Sequence, residues 1–106
     1  MNSYRYGQDI LYTYYEVMFT LICILPGARY SHTFFRTWKN ELFMHYAKLN
    51  PDGSQTDEMV IMSDSEDYKS FFRSPAGIVA KKLMSDYNAG RLKSDTIYLN
   101  LTDHLN

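Results

Sequence analysis

Residues 31–62 read SHTFFRTWKNELFMHYAKLNPDGSQTDEMVIM, and the fold turns on whether residues 42–49 are helix or strand. On the helical reading, Ser31 caps a helix over residues 31–49. Phe34, Phe35, Trp38, Leu42, Tyr46 and Leu49 then share one face. Asn50-Pro51 stops it, because the residue before a proline avoids the α region. Glu41, Ala47 and Lys48 favour this reading by propensity. The rival makes Leu42–Leu49 and Asp57–Met62 the arms of a hairpin around Asn50-Pro51-Asp52-Gly53, a good type I turn with a glycine after it. The helix is the expectation here, followed by a short buried strand at Met59–Met62.

Upstream, residues 9–25 pose the same choice. At about 100° per residue, Asp9, Thr13, Glu16 and Thr20 form one narrow polar stripe, which predicts a helix ended by Pro26-Gly27. The alternation of Tyr15, Val17, Phe19, Leu21, Cys23 and Leu25 is the competing strand signal. The run is too short and too acidic for a membrane span, and it lacks the basic start of a signal peptide. A helix this apolar all round predicts an oligomer surface, so homo-oligomerisation is expected.

Downstream, Ser63-Asp64-Ser65-Glu66 matches a capping box with Ser63 as the cap. Pro75 breaks that helix, and Ser74-Pro75 starts another. Its inner face is Ala76, Val79, Ala80, Leu83, Met84 and Tyr87, with Lys81, Lys82 and Ser85 opposite, and Asn88-Ala89-Gly90 ends it. Residues 95–101 alternate as a strand, with Ile97, Leu99 and Leu101 inward. The expected fold is therefore α+β: a helix-rich single domain over residues 1–106 with a small antiparallel sheet. The alternative is a sheet-dominated meander with the Asn50–Gly53 hairpin and two helices.

The chemistry is sparse. Cys23 is the only cysteine, which excludes an intrachain disulfide and predicts a cytoplasmic protein. His32, His45 and His104 have no metal-ligand spacing, and residues 50–61 fail as a calcium loop at Gln55 and Ile61. No metal or cofactor is expected. His45, one helical turn after Glu41, is a weak general-base candidate without a nucleophile. The Ser74-Pro75 helix start could receive an anion with Arg73, Lys81 or Lys82. The net charge of −1 and the lack of aromatics among these bases argue against nucleic acid.

Binding signals are stronger. Ten Tyr, six Phe and one Trp are more rings than a small domain hides. Tyr4, Tyr6, Tyr12, Tyr14 and Tyr15 crowd the first fifteen residues. Asp52, Asp57, Glu58, Asp64, Glu66 and Asp67 form an acidic stretch without a base. Asp52 has a turn to explain it, and Asp64, Glu66 and Asp67 a helix start, whereas Asp57 and Glu58 have no local role. The expected partner surface is Tyr4, Tyr6, Tyr12, Asp57, Glu58, Asp64, Glu66 and Asp67, meeting a protein with a basic surface. The expected function is a non-enzymatic inhibitor or adaptor acting by protein–protein contact, such as a phage or mobile-element protein that blocks a host system. The alternative is a small-ligand or nucleotide sensor at a homodimer interface.

Overall fold

The computed structural model describes residues 15–102. Three turns decide its architecture. Pro26 holds a negative φ, and Gly27 supplies a φ of 76°, the type II combination. Leu25 and Ala28 therefore face each other, and the chain reverses where a helix end was expected. Asn40 takes a φ of 66° in the second turn, where the Thr37 amide donates to the Glu41 carbonyl at 2.9 Å. Gly53, at 89°, closes the third.

These turns separate β1 (Tyr15–Leu25), β2 (Ala28–Thr37), β3 (Leu42–Leu49) and β4 (Gln55–Met62). Two helices follow, α1 (Glu66–Phe71) and α2 (Pro75–Asn88), and then β5 (Thr96–Asn100). The sheet order is β4-β3-β2-β1-β5. Its neighbours are antiparallel except β5, which runs parallel to β1 after the helical crossover.

The helix-rich expectation is thus overturned: 48% of the described residues are strand and 24% helix, and the sheet is mixed rather than small and antiparallel. The meander with two helices is the arrangement that fits. Residues 15–25 and 31–49 are strands and a hairpin tip, while residues 9–14 lie outside the described part. The reason is tertiary. Phe34 and Phe35, assigned to one helix face, point to opposite sides of β2, where each finds an aromatic partner. Phe34 meets Phe19 at 4.9 Å, and Phe35 stacks on Phe43 at 4.7 Å. Such pairs outweigh the helix propensity of Glu41, Ala47 and Lys48. With the first helix goes the ground for expecting an oligomer surface there. The strand expected at Met59–Met62 begins earlier, at Gln55, and is an edge strand with Met59 and Val60 exposed rather than buried.

Downstream the correction is smaller. The cap of α1 is Ser65, whose hydroxyl accepts from the Tyr68 amide at 3.2 Å, not Ser63. The Ser63 amide is spent on the Leu42 carbonyl at 3.1 Å, extending the β3–β4 ladder, and Glu66 pairs with Arg73 instead of reaching back. Helix α2 has its expected bounds, with Ser74 accepting from the Gly77 amide and Pro75 in the first turn. Strand β5 falls within the stretch expected for it.

Both helices pack on one side of the sheet. Phe19, Leu21, Cys23, Phe34 and Met44 meet Tyr68, Ala76 and Ala80 there. The approach is close at Gly77, where a Cβ would run into the Phe71 carbonyl and the Phe72 Cα. Among the described residues no helix is long and apolar enough to cross a membrane.

Candidate partner-binding surface

Two β-bulges determine what each face carries. In β1 the register slips between Val17 and Phe19, with Met18 as the extra residue. A slip of one residue exchanges the faces. It puts Glu16 on the helix side with Phe19, and Tyr15 and Val17 on the helix-free side. In β4 the slip lies between the partners of Tyr46 and Lys48, and Asp57 occupies it with a φ of 54°. Asp tolerates this left-handed conformation better than most residues.

The helix-free face is richest at one end. Phe35 and Phe43 are stacked in register, and the Tyr15 ring meets them edge-on at 5.4 and 6.0 Å. Phe43 is buried, whereas Tyr15 and Val17 are exposed. Thr37, opposite Tyr15, leads directly into Trp38 at the hairpin tip. Trp38, the only tryptophan, is 65% exposed. The Lys39 ammonium lies 5.2 Å from its ring centroid. The tip is ordered by its own hydrogen bonds, including Glu41 N–H to Thr37 Oγ1 at 3.1 Å. Tyr15 and Val17 are therefore exposed over a base of half-buried Phe35 and buried Phe43, and the exposed Trp38 follows on the adjoining hairpin tip. Sequence reasoning counted Tyr15 among the N-terminal tyrosines but missed Val17 and Trp38, the latter because it was placed on a buried helix face. The legible signal was Trp38-Lys39-Asn40-Glu41, a polar run between two strand-favouring stretches.

The residues expected to meet a partner are scattered. Tyr4, Tyr6 and Tyr12 lie outside the described residues. Asp57 has a local role after all, in the bulge, and Glu58 has one in a hydrogen bond with His45 Nε2 at 3.1 Å. That pair also replaces the Glu41–His45 helix pairing. Asp64 is exposed in the turn before α1, Glu66 pairs with Arg73 at 2.8 Å, and Asp67 lies in the first turn of α1. About 17 Å of strand separates Asp57 from Met62, so the acids make no single patch.

The basic residues are largely occupied too. Arg73 is held by Glu66, and Lys82 by Asp86 at 2.8 Å. Asp86 also takes Arg91, and these hydrogen bonds, that from Lys82 first, hold its carboxyl below the ordinary range. Lys81 is exposed on the outer side of α2. The expected anion site therefore does not converge.

One polar cluster was not foreseen. The Tyr87 hydroxyl and the Arg36 guanidinium both donate to the Glu16 carboxylate, and Arg36 reaches Asn88 Oδ1 at 2.8 Å. The tyrosine's hydrogen bond, chiefly, lowers the Glu16 pKa and raises that of Tyr87. The set is closed on itself and stitches the end of α2 to β1 and β2. Cys23 is buried, which pushes its thiol up to about 11 and keeps it protonated. Among the described residues, no group of three or more His, Cys, Asp or Glu converges on a metal position.

The chain matches no family model, no curated protein and no solved structure.

Proposed function

We propose that this chain is a non-enzymatic protein-binding module, an inhibitor or adaptor, whose contact surface centres on Tyr15, Val17 and Trp38. The exposed Trp38, on a hydrogen-bonded hairpin tip that follows Thr37, the strand partner of Tyr15, carries the reading. Trp and Tyr dominate interface energetics because they bury large area at low entropic cost. An exposed Trp contributes little to a fold, so its presence on a hydrogen-bonded tip favours a role in contact. The acidic residues play a lesser part, since Glu58 and Glu66 already have partners.

The test is capture of a stoichiometric protein partner from lysate of the source organism by the wild-type chain, repeated with Trp38→Ala and with Val17→Asp. Loss of the partner in both variants, with melting temperature retained, is the expected result. A partner held equally by both variants, or a nucleotide co-purifying in place of a protein, overturns the reading.

A further inference from the structure

At the opposite end of the helix-free face, away from Trp38, the β1–β2 and β3–β4 turns stand over a cavity of ≈ 630 Å³. That volume is within the range of small-ligand sites. It is open to solvent, and its described walls combine the apolar side chains of Ile24, Leu25, Leu49 and Pro51 with polar groups of Arg29, Asn50 and the turn backbone. Arg29 is the one charged residue among the described lining residues. Its position is set by register: Arg29 lies opposite Ile24 on one side and Leu49 on the other, so the guanidinium stem is flanked by two aliphatic side chains. The row continues to Asn100 beyond Ile24 and to Gln55 beyond Leu49, both neutral.

Several other polar groups at this end are already engaged. The Gly53 amide donates to the Asn50 carbonyl at 2.9 Å, and the Asn50 side chain donates to Ser54 at 3.0 Å. The nearby Asp52 carboxylate accepts from the Ser54 amide and hydroxyl. Arg29 has no ion-pair partner among the described residues, unlike Arg36, Arg73 and Arg91.

We propose that this cavity binds a monocarboxylate carried on an apolar body, with the carboxylate on Arg29 and the body against Ile24, Leu25, Leu49 and Pro51. The planar guanidinium matches a carboxylate bidentately. One cation among aliphatic walls fits one negative charge. An inorganic phosphate, having no apolar body, would leave the aliphatic side chains uncovered. The same chemistry is offered by a free fatty acid and by the C-terminal residue of an apolar peptide, and the experiment separates the two. The proposal is independent of the contact surface at Trp38, and its test uses the isolated protein.

Amide shifts of Gly27, Asn50 and Gly53 are followed by NMR while octanoate, octanol or octylamine is added. The same titration uses an acetylated peptide ending in Leu-Ile, as the free acid and as the amide. Binding of octanoate or of the acid peptide at these amides is expected, at least tenfold tighter than the neutral and cationic analogues. Octanoate binding assigns the site to fatty acids; binding of the peptide acid alone assigns it to protein C-termini. Arg29→Gln, on an exposed position whose loss leaves the core intact, is expected to weaken either by at least tenfold, and Trp38→Ala to leave it unchanged. Equal binding of acid and neutral analogues, indifference to Arg29→Gln in a folded protein, or no binding by any probe overturns the proposal.

Discussion

The two faces of the sheet are built from the same strands and do different work. The helix-covered face is sealed: Phe19, Leu21, Phe34 and Met44 are fully buried. Its weak points are two buried polar atoms without a partner among the described residues, His32 Nδ1 and the Tyr68 hydroxyl. The helix-free face is buried at Ser31, Phe43 and Ala47 and exposed at its margins, at Tyr15, Val17, Val60 and Tyr98. Its polar groups answer one another, His45 with Glu58 and Thr20 with Thr33. A large aromatic thus costs stability when removed from one face and contact when removed from the other, and the bulges at Met18 and Asp57 decide which residues fall where.

The largest effect is expected on the sealed face. Phe34→Ala should destabilise by about 3–5 kcal/mol, measured by urea unfolding, because it leaves a cavity between Phe19 and the helices. Gly77→Ala sharpens the point. In an exposed helix that change is stabilising by roughly 1 kcal/mol. Here the new methyl meets backbone of α1, and a loss of about 1–3 kcal/mol is expected instead. A neutral Gly77→Ala would show that α1 and α2 can separate without cost.

Acid should attack the same face next. His32 is buried against Phe71 and Tyr46, with ring centroids 4.7 and 5.3 Å away, and burial holds its imidazole down to about 4. In the unfolded chain it titrates near 6.5. Between these values the unfolded state binds the extra proton, so stability falls as pH drops from 6.5 towards 4 and this loss is complete below about 4. The window corresponds to about 3 kcal/mol. Unfolding midpoints across it should show the slope in the parent and lose that part of it in His32→Phe.

The legibility of this molecule followed the same division. Helix α2 and strand β5 were readable because a Ser-Pro start, a glycine stop and strict alternation are local signals. The first three strands were not, because their apolar residues are so dense that periods of two and of 3.6 both find matches. The decision rested on partners distant in sequence: Phe19 with Phe34, Phe35 with Phe43. A local feature did favour the hairpin, since Pro26-Gly27 and Asn50–Gly53 serve as turns at least as well as helix ends. Of the contact surface only the abundance of aromatics was legible. Neither the exposure of Trp38 nor the slip that turns Val17 outward can be read without the register.

A smaller effect is expected at the bulge in β4. If Asp57 is retained for its backbone, Asp57→Gly should be neutral or stabilising by roughly 0.5 kcal/mol, since glycine adopts a positive φ without strain. Asp57→Val should cost about 1–2 kcal/mol, because a branched side chain resists that conformation. Thermal melts of the two variants decide it. Equal melting temperatures would return Asp57 to the role of a surface acid free to meet a partner.

The smallest effect on stability is expected at Trp38, and that is what makes it informative. Its ring is 65% exposed, and the contact seen for it is the neighbouring Lys39 ammonium. An exposed cation–π contact contributes roughly 0.5–1 kcal/mol at most, and part of that exists in the unfolded chain because the residues are adjacent. Trp38→Ala should therefore shift unfolding by less than about 0.5 kcal/mol, against the several expected for Phe34→Ala. The backbone of the tip should hold, since Thr37, Asn40 and Glu41 make its hydrogen bonds. If Trp38 is a contact hot spot, the same change should cost about 2 kcal/mol or more in partner affinity, roughly thirtyfold in Kd. Tryptophan fluorescence gives a second readout, because burial of the ring on binding should shift its emission to the blue. A Trp38→Ala protein that unfolds early would mean the ring supports the fold, and the contact reading would then fail at its central residue.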